Sequence, residues 1–173
     1  MTAVFIRPAR DDDADEILAM ACALARGHGE PDDLLTVEMV RAEMLADNGP
    51  IQVLIADCGE IAGYISLLPA FESGHASRGL YVADLYVKPE FRRGGVAKKL
   101  MAAAAATARA EGCGHLWLTM QKTNERAERF YRTVADVRAE VVAFAVTGDR
   151  FAALATEGEA ARSAKTFSDR IKE

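Results

Sequence analysis

The segment Leu80-Tyr-Val-Ala-Asp-Leu-Tyr-Val87 constrains this chain more than any other. This eight-residue run, six of them Leu, Tyr or Val, leads through Lys88-Pro-Glu-Phe-Arg-Arg93 to the pair Gly94-Gly95, and an alanine-rich helix follows over about 95–111. At such a junction the first amides of the helix lack intrahelical partners and sit at the positive end of its dipole. Glycines there permit positive φ and let the backbone approach a ligand closely. Arg92, Arg93, Lys98 and Lys99 surround the turn with positive charge. These features describe a cradle for a pyrophosphate; a plain strand-to-helix turn with solvated bases is the alternative. The spacing is neither G-x-G-x-x-G nor G-x-x-x-x-G-K-[ST], which argues against a dinucleotide-binding Rossmann turn and excludes a P-loop.

The remaining elements follow from periodicity and turn chemistry. Val4 to Pro8 reads as a short strand, and Asp11-Asp12-Asp13 as the cap and acidic first turn of a helix ended by Gly27-His28-Gly29. Thr36-Val-Glu-Met opens a second helix, stopped at Asn48-Gly49-Pro50. Ile51–Ala56 and Ile61–Leu68 flank a glycine-bearing turn as a hairpin, and Pro69 to Gly79 reads as a polar loop containing Gly74 and His75. His115–Met120 reads as a strand, Asn124 to about Arg132 as a helix, Val141–Val146 as a strand, and Asp149–Leu154 as a turn of helix. Hairpin strands first and a β-α-β-α unit second predict a mixed α/β sheet.

The 173 residues fit a single domain over 1–155, with a polar tail at 156–173 that reads as an added helix or disorder. Apolar residues make up 50%, yet 33 of the 173 are alanine, so close-packed helices are expected rather than a greasy core. Cys22, Cys58 and Cys113 are scattered without CxxC spacing, and no stretch has the apolar length of a membrane span. With no visible secretory signal, the expectation is a reduced cytoplasmic protein without a metal site, away from membranes and nucleic acid. Residues 1–60 hold four basic against thirteen acidic groups, whereas 88–99 hold five basic and one acidic. That asymmetry suits a cationic partner at one place and an anionic one at another; solvated faces are the plain alternative.

Arg92-Arg93-Gly94-Gly95-Val96-Ala97 resembles the R-x-x-G-x-A motif of the GNAT superfamily of N-acetyltransferases. Leu85 to Phe91 is similar to the strand and turn before that motif, and Asn124, Ala127 and Phe130-Tyr131 to the family's N-x-x-A-x-x-F-Y helix. The resemblance spans about residues 3–155. It implies a mostly antiparallel sheet with splayed central strands flanked by helices, and acetyl-CoA as co-substrate. It places the amides and side chains of Arg92, Arg93, Gly94, Gly95, Val96, Ala97 and Lys98 around the CoA pyrophosphate. The backbone of Leu85, Tyr86 and Val87 would pair with the pantetheine arm, Asn124 would bond that arm, and Tyr131 would face the thioester sulfur. For Tyr131 the alternative is a core aromatic.

Within the superfamily the chain is most similar to the diamine (spermidine/spermine) N-acetyltransferase branch, through Leu24-Ala25-Arg26, the acidic Glu30-Pro31-Asp32-Asp33, Leu80-Tyr81 and Gly148 to Ala155. That branch implies a homodimer and a cationic amine as acceptor. It usually carries a Glu-Asp pair in the central strand; here the pair is Ala83-Asp84. Asp84 would bind or deprotonate the amine, or serve as a structural hydrogen-bonding group. His28 and Glu30 are further acceptor-site candidates, with plain surface as the alternative for His28. The expected activity is direct acetyl transfer to a primary amine in a ternary complex. The alternatives are another acceptor (amino acid, antibiotic or protein lysine) or a non-catalytic acyl-CoA sensor.

Overall fold

A computed structural model describes residues 3–170, without the side chains of 75 and 162–170. The side chain of His75 in the predicted loop, and the last residues of the tail, 171–173, lie outside the described part. By backbone contacts the chain divides into Met1–Val134 and Ala135–Glu173.

The first unit is built on a five-stranded sheet in the order β1-β2-β3-β4-β5: Phe5–Pro8, Gln52–Asp57, Ile61–Glu72, Ser77–Val87 and His115–Leu118. Every pairing is antiparallel except β4 with β5. Alternation along the strands sends apolar side chains to both faces. Under one face lies α3 (Val96–Ala110), where Val96, Leu100, Ala104 and Ala108 pack on Leu54, Ile65, Leu67, Leu80 and Val82. Alanine on this face lets the helix lie close to the sheet. Against the other face pack α1 (Ala14–His28) and α2 (Val37–Met39, continuing as a π turn over Val40–Met44), where Ile17, Met20 and Val40 meet Val53, Ile55 and Tyr64. This is the mixed, mostly antiparallel sheet flanked by helices that the sequence predicts.

Local signals meet different fates. Gly29, at φ 73°, ends α1 in the left-handed conformation, its N–H donating to the Ala25 and Arg26 carbonyls. Thr36 caps α2 by accepting from the Met39 amide at 3.3 Å. Asp13 does not cap α1; it accepts instead from the Arg10 amide at 2.7 Å and from both terminal nitrogens of Arg7 at 2.7 and 2.9 Å.

Two predicted elements are corrected. The loop predicted over Pro69–Gly79 is the far end of a long hairpin, with Pro69 to Glu72 pairing with Leu80 to Ser77 and a turn only at Ser73–His75. Its polar composition reflects exposure rather than irregular backbone. Residues 141–146 form no strand; Val141, Val142, Phe144 and Val146 are exposed instead. A β-prone pattern becomes a strand only where another strand completes its ladder. In the second unit, α5 (Gly148–Arg170) runs through the region predicted as a single turn followed by a tail.

Candidate active site

The glycine turn has the backbone that its sequence demands. After a short turn over Pro89–Phe91, Arg93 has φ 64° and Gly95 φ 78°, and α3 begins at Val96. A non-glycine residue with positive φ costs about 1 kcal/mol or more, and its presence marks a turn held in one shape by its surroundings. Arg93, Gly94, Gly95 and Lys98 are all exposed, so the first amides of α3 open outward between two cationic side chains. Arg92 is engaged elsewhere: its Nε donates to the Val87 carbonyl at 2.9 Å and its guanidinium lies 5.6 Å from the centre of the Tyr86 ring. Lys99 donates to the Val4 carbonyl at 3.4 Å.

Immediately before this turn, β4 loses its neighbour on one side. It pairs with β5 only from Gly79 to Val82, opposite His115 to Leu118, while its pairing with β3 continues to Val87. Leu85, Tyr86 and Val87 thus lie on an open edge leading to the cradle, which is the splay that the resemblance implies. An extended ligand arm fits such an edge as an added strand. A pyrophosphate carrying an extended arm fits the two features together.

Asp84 stands where this open stretch begins. It is half-buried and accepts from Ser66 Oγ at 2.7 Å through Oδ2. Its face of the sheet is the one covered by α1, whose C-terminal end carries His28 and is followed by Glu30. The His28 carbonyl accepts from Gln121 Nε2 at 3.3 Å, tying this end of α1 to the segment after β5. Arg26 and Asp32 form an ion pair across the loop beyond α1, and Lys88 Nζ lies 2.8 Å from Glu16, joining β4 to α1. Glu30 is exposed. His28 and Glu30 therefore lie at the end of the helix that covers Asp84's face of the sheet.

Asn124 and Tyr131 belong to α4 (Glu125–Tyr131). Asn124 caps this helix, its Oδ1 accepting from the Ala127 amide at 3.0 Å, so the carbonyl end of the side chain is spent on the helix and the NH2 group is its donor. Tyr131 ends the helix. Burial first, and the proximity of Tyr81 second, push its phenol up to about 12. Tyr81 is itself on β4, its hydroxyl 2.7 Å from Thr119 Oγ1. Tyr131 is thus near enough to Tyr81 of β4 for the two phenols to influence one another, and Asp84 lies three residues further along that strand. A phenol that stays protonated and the Asp84 side chain are thus both associated with β4.

Two side chains at this place, Ser66 and Tyr64, were not singled out by the sequence reading. Neither carries a signal of its own; the sequence shows only the irregularity of the strand they face, because Leu-Tyr-Val occurs at 80–82 and again at 85–87, an odd offset that strict alternation cannot put on one face.

Comparison with known proteins gives the same reading. The sequence model described as the Acetyltransferase (GNAT) family matches residues 17–135. The chain is similar to the thialysine N-epsilon-acetyltransferase of Sus scrofa, with 31% identity over 144 residues, covering 78% of this chain and 84% of that one. Its fold is similar to an integron cassette protein of V. cholerae, with a TM-score of 0.73, 21% identity and coverage of 90% and 98%. An aminoglycoside acetyltransferase from an uncultured soil metagenomic sample, solved with trehalose, superposes with a TM-score of 0.71, 19% identity and coverage of 84% and 97%. With the family motif on an outward-facing helix start and the strand beside it open, the chain belongs to the GNAT family of acetyltransferases and is an N-acetyltransferase.

Proposed function

We propose that this protein transfers an acetyl group from acetyl-CoA to a primary amine of a small cationic acceptor of diamine, polyamine or lysine-like type, by direct attack in a ternary complex. The observation that carries this reading is the open stretch of β4, which has Asp84 at one end and the outward-facing start of α3 at the other. The similarity to a thialysine N-epsilon-acetyltransferase, together with the acidic N-terminal third, favours a lysine-like amine.

In this reading the amides of Arg93 to Lys98, with the Arg93 and Lys98 side chains, would hold the pyrophosphate. Arg92 would brace the end of β4 while the backbone of Leu85, Tyr86 and Val87 pairs with the pantetheine arm. The side-chain NH2 of Asn124 would donate to that arm. Acetyl-CoA, when bound, supplies an activated acetyl thioester. The acceptor amine, with a pKa near 10 when free, must lose a proton before it attacks. Asp84 would draw the ammonium form in and accept that proton, with His28 and Glu30 adding polarity at the rim. Tyr131 would donate its phenolic proton as the thiolate departs. Much of the rate would come from holding the two reactants in register.

The test combines binding with turnover. Acetyl-CoA at a hundredfold excess over its Kd should stabilise the protein by about 2.7 kcal/mol, seen as a rise in melting temperature. Gly95→Val, which places a β-branched residue at φ 78°, should abolish that rise. Thiol release should then be followed with thialysine, lysine, diamines, spermidine and a lysine peptide. Absence of a melting shift removes the cofactor assignment. A shift without turnover on any amine replaces the enzyme with an acyl-CoA sensor.

A further inference from the structure

The ladder between β3 and β4 changes register once, at the site. Ser66 faces Asp84 and Leu67 faces Val82, so Ala83 is an extra residue without a partner of its own. A bulge of this kind reverses the alternation of every side chain beyond it. Leu80 and Val82 before it and Leu85 and Val87 after it all join the core beneath α3. Asp84 consequently leaves that face and lies with Ser66, while Tyr86 packs into the core beneath α1.

One buried side chain holds this arrangement. Ser66 is 1% exposed; its Oγ accepts from the Asp84 amide at 3.0 Å and donates to Asp84 Oδ2 at 2.7 Å. The same hydroxyl satisfies the Asp84 amide beside the bulge and holds the carboxylate of that residue. A buried hydroxyl is costly unless bonded, and both of these bonds go to Asp84. Two residues away on the same face, Tyr64 is wholly buried, and its hydroxyl has no hydrogen-bond partner among the described residues. It lies beside Asp84, within reach of that residue's charge and carboxylate oxygens though not aligned for a well-formed hydrogen bond. A buried hydroxyl beside a carboxylate is a second polar group at this point of the sheet, and its position calls for an explanation.

We propose that Ser66 is a positioning residue for acetyl transfer: it commits Oδ2 of Asp84 and leaves Oδ1 to hold the acceptor's amino group, with the Tyr64 hydroxyl as a second polar contact. The inference rests on the assignment of Asp84 to the acceptor site made above. Ala83 sharpens it. With no carboxylate at position 83, Asp84 is the acid left in this stretch of the strand, and Ser66 holds one of its two oxygens.

The test uses Ser66→Ala, Ser66→Thr, Asp84→Ala, Tyr64→Phe and the Ser66→Ala/Asp84→Ala double variant in the full chain. The amine is the one turned over fastest in the panel above, thialysine in the expected case. Thiol release gives kcat and both KM values, and calorimetry in the presence of CoA gives the Kd of the amine. Ser66→Ala should raise the KM and Kd of the amine about tenfold, the scale of one charge-assisted hydrogen bond, with the KM of acetyl-CoA unchanged within about twofold. Ser66→Thr, which keeps the hydroxyl, should return to within about threefold of wild type, and Tyr64→Phe should weaken the amine several-fold. Adding Ser66→Ala to Asp84→Ala should change nothing further. Wild-type behaviour of Ser66→Ala beside an impaired Asp84→Ala overturns the role of Ser66 and leaves Asp84 in place. Wild-type behaviour of Asp84→Ala removes the Asp84 assignment and this proposal with it. Parallel loss of acetyl-CoA affinity, or no recovery with threonine, makes Ser66 a purely structural residue and equally overturns the proposal.

Discussion

Tyr131 shows how one side chain's surroundings decide its chemistry. An exposed tyrosine titrates near 10, and this phenol is pushed up to about 12, mainly by burial at the end of α4. It is therefore fully protonated between pH 6 and 10 and suits a donor rather than a base. Tyr131→Phe should lower kcat by about a hundredfold, at the lower end of the range for general acid catalysis, while the KM of acetyl-CoA stays near wild type. Because the phenol holds its proton, the kcat of wild type should show no decline due to Tyr131 below about pH 11. Unchanged kcat in the variant would remove the donor role. Asp84, Asn124 and Tyr131 could be singled out in the sequence because their residue types and spacing match a motif. Ser66 could not: nothing near it in the chain announces Asp84, eighteen residues away, and only the register of two strands brings them together.

At the scale of elements, the strip from Leu85 to Val87 depends on a glycine in the neighbouring strand. Gly63 lies opposite Val87, and a Cβ there would stand 2.4 Å from the Tyr86 carbonyl oxygen and 3.0 Å from the Val87 Cα. Both obstacles are backbone, so no side-chain rotation relieves them, and β3 or β4 must move. Gly63→Ala should cost about 2 kcal/mol, or roughly 4–8 °C in melting temperature for a chain of this size. It should also raise the KM of acetyl-CoA more than that of the amine, since the displaced backbone is the proposed pantetheine strip. Equal effects on both would argue that the strip does not serve the cofactor. The sequence was a good guide to elements that carry their own signals, such as the α3 turn and the glycine stop of α1. It failed where partners decide. Residues 69–72 and 77–79 look like loop and pair as strand, whereas 141–146 look like strand and, among the described residues, remain outside the sheet. The second helix also begins at its Thr36 cap as predicted but widens into a π turn after Met39, which a capping signal does not foretell.

For the Met1–Val134 unit as a whole, stability depends on joining elements distant in sequence, and the Arg7 cluster does this at the sheet's outer strand. Arg7 on β1 bonds both carboxylate oxygens of Asp13, at the approach to α1, and reaches Asp57 at the end of β2 with Nε at 2.9 Å. Asp13 is 6% exposed. The Arg7 hydrogen bonds hold its carboxyl below the ordinary range, outweighing the burial that opposes them. Removing one partner of such a pair leaves the other without its match, so Asp13→Ala should cost about 2–4 kcal/mol, somewhat less than a fully buried pair because Arg7 keeps Asp57. The sign of the pH dependence follows from the lowered value. In the folded protein Asp13 binds its proton less readily than in the unfolded chain, so its contribution is complete above the unfolded pKa of about 3.9. Below that pH the unfolded chain takes up the proton first, and the contribution declines until the folded carboxyl is protonated too. Urea unfolding of wild type and Asp13→Ala should therefore differ by the full amount at pH 7. The two curves should converge as the pH is lowered from about 4 toward 2. A difference that persisted undiminished at the acid end would show that Asp13 acts through packing rather than charge, and the ion-pair account of this clamp would fall.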